Sequence, residues 1–122
     1  KVIPLKVSAP FHCSLMAPAR EKLERDLEQT PFHRLEFPVV ANVTALELSN
    51  PGEILPLLSE QVTGSVRWVE SIRRLEALGV TEFIEFGSGT VLTGLVKRIL
   101  PDTKLFNIRR PADVEAYIAG RS

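Results

Sequence analysis

The sequence predicts an α/β fold with a mainly parallel sheet, on three observations. Short runs rich in β-branched, aromatic and aliphatic residues, at residues 2–7, 38–44, 81–86 and 105–108, are separated by stretches whose apolar residues recur at helical spacing. Pro, Gly and Asn mark most of the junctions. The resulting order is strand, helix, strand, helix, helix, strand, helix, strand, helix, and such alternation favours parallel strands joined by helices. With 122 residues, 44% of them hydrophobic and 25% charged, the chain is long enough for one core.

Each element has its local reason. Residues 2–7 read as a strand, and Pro10 disfavours the helical region for Ala9, so the chain is expected to stay extended almost up to His12. A helix over about residues 14–29 follows, with Ser14 as N-cap, Pro18 in the first turn, Met16, Ala19, Leu23 and Leu27 on one face, and Pro31 beyond its end. Its charged residues form a solvated face. Residues 38–44 are β-branched and nearly continuous in apolarity, as in a buried strand. Asn50, Pro51 and Glu53 announce a second helix, which Pro56 is expected to kink or delay until about Ile54. Gln61 falls in the middle of the stripe formed by Ile54, Leu57, Leu58 and Val62, where a polar side chain needs partners. Val66, Val69, Ile72, Leu75 and Leu78 mark a third helix packed through Trp68 and closed by Gly79 as a left-handed cap. The strand at 81–86 turns through Gly87, Ser88 and Gly89 into a fourth helix capped by Thr90 and stopped by Pro101. A last strand and a helix over Pro111–Ala119, ended by Gly120, complete the chain.

Composition narrows the function. Fifteen Lys and Arg balance fifteen Asp and Glu without long blocks of one sign, which argues against nucleic acid or an anionic membrane surface as partner. No apolar run approaches the roughly 20 residues of a membrane span, and no export signal is legible at the start, so a cytoplasmic protein is expected. A single cysteine, Cys13, fits a reducing compartment. The abrupt start at Lys1 suggests a piece of a longer polypeptide.

His12 is the leading chemical candidate, because an imidazole at a strand-to-helix junction can take and return a proton near neutral pH; a packed structural histidine is the alternative. Cys13 is expected to point away from it and to pack. His33 reads as a surface residue, and no His or Cys clusters with carboxylates at ligand spacing, so no metal site is expected. Gly87-Ser88-Gly89 lacks the third glycine of a dinucleotide fingerprint and is read as a tight turn. Gln61 either satisfies buried backbone groups or orients a functional side chain.

The stretch VSAPFHCSLM at residues 7–16 resembles the histidine segment of malonyl-CoA:acyl carrier protein transacylases. Two further stretches, QVTGSVRWVESI at 61–72 and EFGSGTVLTGLVKRI at 85–99, agree in the same order, so the likeness covers about residues 3 to 100. Ser88 departs from the family's Gly-Pro-Gly turn. The resemblance implies malonyl transfer from coenzyme A to the phosphopantetheine thiol of acyl carrier protein through an acyl-serine, in fatty-acid biosynthesis, with no bound cofactor. It implies that His12 is the general base and that the main-chain carbonyl of Gln61 orients its ring. Phe11 resembles the bulky residue that crowds an α-methyl branch, which implies a preference for malonyl over methylmalonyl.

In family terms the chain would be the C-terminal part of the acyltransferase domain. Residues 1–8 would be the strand returning from a ferredoxin-like insert, and 9–122 part of an α/β-hydrolase-like large subdomain. The nucleophilic serine and a carboxylate-binding arginine would lie in the upstream part of the same polypeptide, and no Gly-x-Ser-x-Gly occurs here. An acyltransferase domain of a polyketide synthase or multifunctional fatty-acid synthase is the nearest alternative, less favoured because no linker follows Ser122. A noncatalytic α/β binding module is the other.

Overall fold

The computed structural model describes residues 9–120. The strand expected at residues 2–7 lies outside them. Contacts divide the chain into two compact units, Lys1–Ser71 and Ile72–Ser122, with the boundary inside one helix.

In the first unit a 3₁₀ turn at Ser14–Met16 leads into helix α1, Ala17–Glu28. Ser14 is not the N-cap. Cys13, extended at φ −147° and ψ 171°, occupies the capping position, and no side chain caps that turn. Pro18 sits in the first turn of α1, where no intrahelical N–H bond is lost.

The long strand expected at 38–44 is not formed. Only Val39–Val40 (β1) is strand, paired antiparallel with Glu47–Leu48 (β2), and Val39 is exposed. The run breaks because the chain reverses between them. The Ala41 N–H donates to Leu46 O, the Ala45 N–H donates to Ala41 O, and Ala45 is left-handed at φ 58°. A hairpin turned on alanine carries no Gly or Asn-Gly signature, so β2 was not foreseen.

Pro51–Glu53 forms a 3₁₀ turn in which Asn50 Oδ1 accepts from the Gly52 N–H at 3.0 Å. Helix α2 starts at Ile54 and runs to Thr63. Pro56 thereby falls in its first turn, where its missing N–H has no intrahelical partner to lose. Helix α1 packs on α2, and Arg20 of α1 reaches Thr63 Oγ1 at 3.4 Å. Helix α3, Trp68–Ala77, is shorter than its apolar pattern. Trp68 is half-buried with no partner for its buried Nε1 among the described residues.

In the second unit, α3 closes on Gly79, at φ 86°, with Gly79 N–H donating to Glu76 O and Val80 N–H to Leu75 O, the paired bonds of a left-handed helix stop. Strand β3, Glu82–Phe86, pairs in parallel with β4, Lys104–Ile108, in register Glu82 to Lys104 through Phe86 to Ile108. Helix α4, Val91–Ile99, connects them, and α5, Pro111–Ala119, follows β4. Ile72, Val96, Leu100 and Ile108 are the buried apolar positions of this unit among the described residues, while Phe106 and Tyr117 stack edge to face at 4.9 Å. The described residues thus hold two two-stranded sheets, one parallel and one antiparallel, in place of a single mainly parallel sheet.

Candidate functional site

The site is built from the turn before α1 and the last turn of α2. The chain does not stay extended to His12. Phe11 N–H donates to Ala9 O, and His12 adopts φ 59°, a left-handed conformation uncommon for any residue with a side chain. That turn directs the exposed imidazole toward α2, where His12 Nδ1 lies 2.9 Å from Gln61 O. A carbonyl oxygen only accepts, so Nδ1 carries a proton, and in the neutral form of the ring the lone pair is on Nε2.

The Gln61 carbonyl is available because the helix stops. In a continuing helix it would accept from the N–H four residues on, but Gly64 turns to φ −90°, ψ 155° and leaves the last carbonyls without helical partners. Gly64 is needed for space: a Cβ there would stand 3.0 Å from Glu60 O and 3.2 Å from Val43 Cγ1.

The Gln61 side chain, half-buried on its apolar stripe, accepts from Asn42 Nδ2 at 3.3 Å. Asn42 was missed in the sequence because it lay inside a presumed buried strand. Its own carbonyl accepts from the Arg67 N–H at 2.8 Å, and Arg67 Nη1 also donates to Thr44 O at 3.2 Å. Asn42 and Gln61 are the polar lining of a cavity of about 220 Å³ otherwise walled by aliphatic side chains such as Leu48, Leu57 and Leu58.

Phe11, next to His12, is exposed. Cys13 is half-buried and its thiol donates to Pro10 O at 3.1 Å, not to the imidazole. His33 is exposed in a loop. Among the described residues no three of His, Cys, Asp and Glu gather as a metal site, and no helix is long and apolar enough to cross a membrane. A larger depression of about 450 Å³ in the second unit is lined by residues such as Gly79, Thr81, Pro101 and Thr103, and holds no histidine or cysteine.

The glycine turn has a different organiser from the one expected. Gly87 and Gly89 sit at φ 125° and 110°, but Thr90 makes no side-chain cap. Glu85 at the end of β3 does that work: its carboxylate accepts from the Leu92 N–H at 3.1 Å, the Thr93 N–H at 2.8 Å, Thr93 Oγ1 at 2.9 Å and Asn107 Nδ2 at 3.1 Å. The Thr93 N–H above all holds the Glu85 carboxyl below the usual carboxylate range, against a smaller opposing effect of desolvation. With a carboxylate already seated on it, the α4 N-terminus is occupied by the protein's own anion.

Mixed α/β units, one of which holds an imidazole against a main-chain carbonyl through Nδ1, define the class as that of α/β proteins. Comparison with known proteins narrows it. No protein-family model matches the chain. The malonyl CoA-acyl carrier protein transacylase of Bacillus subtilis (strain 168) is 42% identical over 118 residues, which are 97% of this chain and 37% of that protein. The crystal structure of MCAT from Streptococcus pneumoniae matches with a TM-score of 0.89 at 40% identity, over 97% of this chain and 38% of that one. A malonyl-transacylase solved in complex with its type II PKS acyl-carrier protein matches with a TM-score of 0.86 at 37% identity, again over 97% of this chain and 38% of that one. The chain is therefore a homologue of one segment of the malonyl CoA-acyl carrier protein transacylases, and it spans little more than a third of their length.

Proposed function

We propose that this chain is the C-terminal, histidine-bearing part of a malonyl-CoA:acyl carrier protein transacylase. His12 acts as general base, and a serine outside these 122 residues acts as nucleophile. The Nδ1 contact of His12 with Gln61 O at 2.9 Å carries this reading, since it sets the tautomer that a base acting through Nε2 requires.

The chemistry follows from that tautomer. As the serine hydroxyl attacks the malonyl thioester carbonyl, its proton passes to His12 Nε2 and the developing imidazolium is stabilised through Nδ1–H by the Gln61 carbonyl dipole. Collapse of the tetrahedral adduct breaks the C–S bond, and the coenzyme A thiolate leaves with the proton from Nε2. The phosphopantetheine thiol of acyl carrier protein then gives its proton to Nε2 and attacks the acyl-serine, and the serine oxygen recovers that proton as it departs. The cycle is redox-neutral and calls for no cofactor beyond the coenzyme A thioester substrate.

Phe11, exposed beside the base, is suited to crowd an α-methyl substituent and so to favour malonyl over methylmalonyl. The malonyl carboxylate would pair with an arginine of the upstream polypeptide, whose forked donors suit it. In this reading residues 9–122 belong to an α/β-hydrolase-like large subdomain and 1–8 to the return from a ferredoxin-like insert. The protein would serve fatty-acid biosynthesis in the cytoplasm. Service to a polyketide carrier protein is the second reading, favoured by the relative solved with a type II PKS acyl-carrier protein.

The test is His12→Ala in the complete polypeptide. Malonyl transfer should fall by orders of magnitude, about 10²-fold or more, whereas normal turnover would eliminate the assignment.

A further inference from the structure

We propose that Asn42 is a positioning residue for the His12 imidazole, acting through its side-chain bond to Gln61. This deepens the functional reading above and rests on His12 being the base. The contact that orients the ring comes from the last turn of α2, the part of a helix most given to fraying, because its carbonyls lack intrahelical donors. The helix ends at Thr63, and Gly64 after it is already extended at φ −90°, ψ 155°. A carbonyl on a fraying turn would hold an imidazole loosely.

Asn42 supplies what the helix end lacks. Its Nδ2 donates to Gln61 Oε1 at 3.3 Å, so the residue whose main chain holds His12 is itself held by its side chain. The Asn42 backbone is fixed in turn: Arg67 N–H donates to Asn42 O at 2.8 Å, Arg67 Nη1 donates to Thr44 O at 3.2 Å, and the loop closes on Ala45 in the left-handed region. Half-buried side chains at both ends of the amide bond, in an otherwise aliphatic cavity, leave Gln61 few rival partners. The chain of contacts Arg67, Asn42, Gln61, His12 thus ties ring orientation to a braced hairpin loop and not to the helix end alone.

The test uses the complete polypeptide with ¹⁵N-labelled histidine, reading the His12 tautomer by NMR together with kcat and KM for malonyl-CoA. Asn42→Ala should move His12 from the Nδ1–H tautomer toward a mixture. It should lower kcat about 3- to 10-fold, the scale of one hydrogen bond, and leave KM unchanged. Asn42→Asp, which accepts from Gln61 after its amide turns over, should recover most of kcat. Gln61→Ala keeps the main-chain oxygen and suits the helix, and should reproduce the Asn42→Ala defect; adding Asn42→Ala to it should cost nothing more.

Unchanged tautomer and kcat in Asn42→Ala, or a further loss in the double variant, would overturn the proposal. Should Asn42→Ala fail to fold, Gln61→Ala decides: wild-type tautomer and kcat there refute the clamp. A wild-type polypeptide that transfers no malonyl group would remove the functional reading, yet the His12 ring signals would still test the clamp.

Discussion

At the scale of single residues, small conformational facts position the chemistry. His12 at φ 59° turns its ring onto α2, and Gly64, with no room for a Cβ, ends that helix where the Gln61 carbonyl is left over. Gly64→Ala is expected to push against Glu60 O and Val43 and to shift the last turn of α2 by a few tenths of an ångström. It should destabilise the protein by about 1 kcal/mol, read as a lower urea midpoint, and reduce kcat with it. A variant with unchanged midpoint and turnover would mean that the neighbours yield freely. The proposed roles of His12 and Asn42 separate at this scale: replacing the first should remove the base, whereas replacing the second should only loosen its aim.

At the scale of elements, helix ends in this chain are finished by carboxylates and main-chain bonds more than by the hydroxyl caps that pattern reading favours. Glu85 of β3 caps α4 across the glycine turn, and Asp113 accepts from the Arg109 and Arg110 N–H groups at the start of α5. The Arg109 N–H is the main reason that the Asp113 carboxyl lies below the usual range. Both groups have depressed folded-state pKa values, so their stabilisation is present above the unfolded-state carboxylate pKa and is lost as pH falls through the lower folded value. Glu85→Gln should therefore lower stability near neutral pH and flatten its decline on acidification, as followed by urea midpoints across a pH series. Parallel declines in variant and wild type would show that Glu85 contributes nothing through its charge.

For the molecule as a whole, the decisive feature is division of labour. These 122 residues offer the proposed base, the carbonyl that contacts it and the proposed clamp, but no Gly-x-Ser-x-Gly, and they span little more than a third of the length of their relatives. Incubating the complete polypeptide with malonyl-CoA and mapping the adduct by mass spectrometry should place the malonyl group on a serine outside residues 1–122. An adduct on Ser14, Ser65, Ser88 or any other serine of this chain would refute the proposed arrangement.

Local chemistry was legible in the order of residues. The start of α2 at Ile54, the helix Pro111–Ala119, the Gly79 stop and the glycine turn after β3 follow from prolines, caps and apolar period, which act within a few residues. The His12 to Gln61 pairing came only through resemblance, because 49 residues separate the partners and no pattern links them. The left-handed His12, the alanine-turned hairpin that broke the expected strand, and the pairings of Asn42 with Gln61 and Glu85 with Asn107 appear only once the chain is folded. Periodicity reports which face of an element is apolar; it carries no information about which polar groups meet when distant segments close on one another.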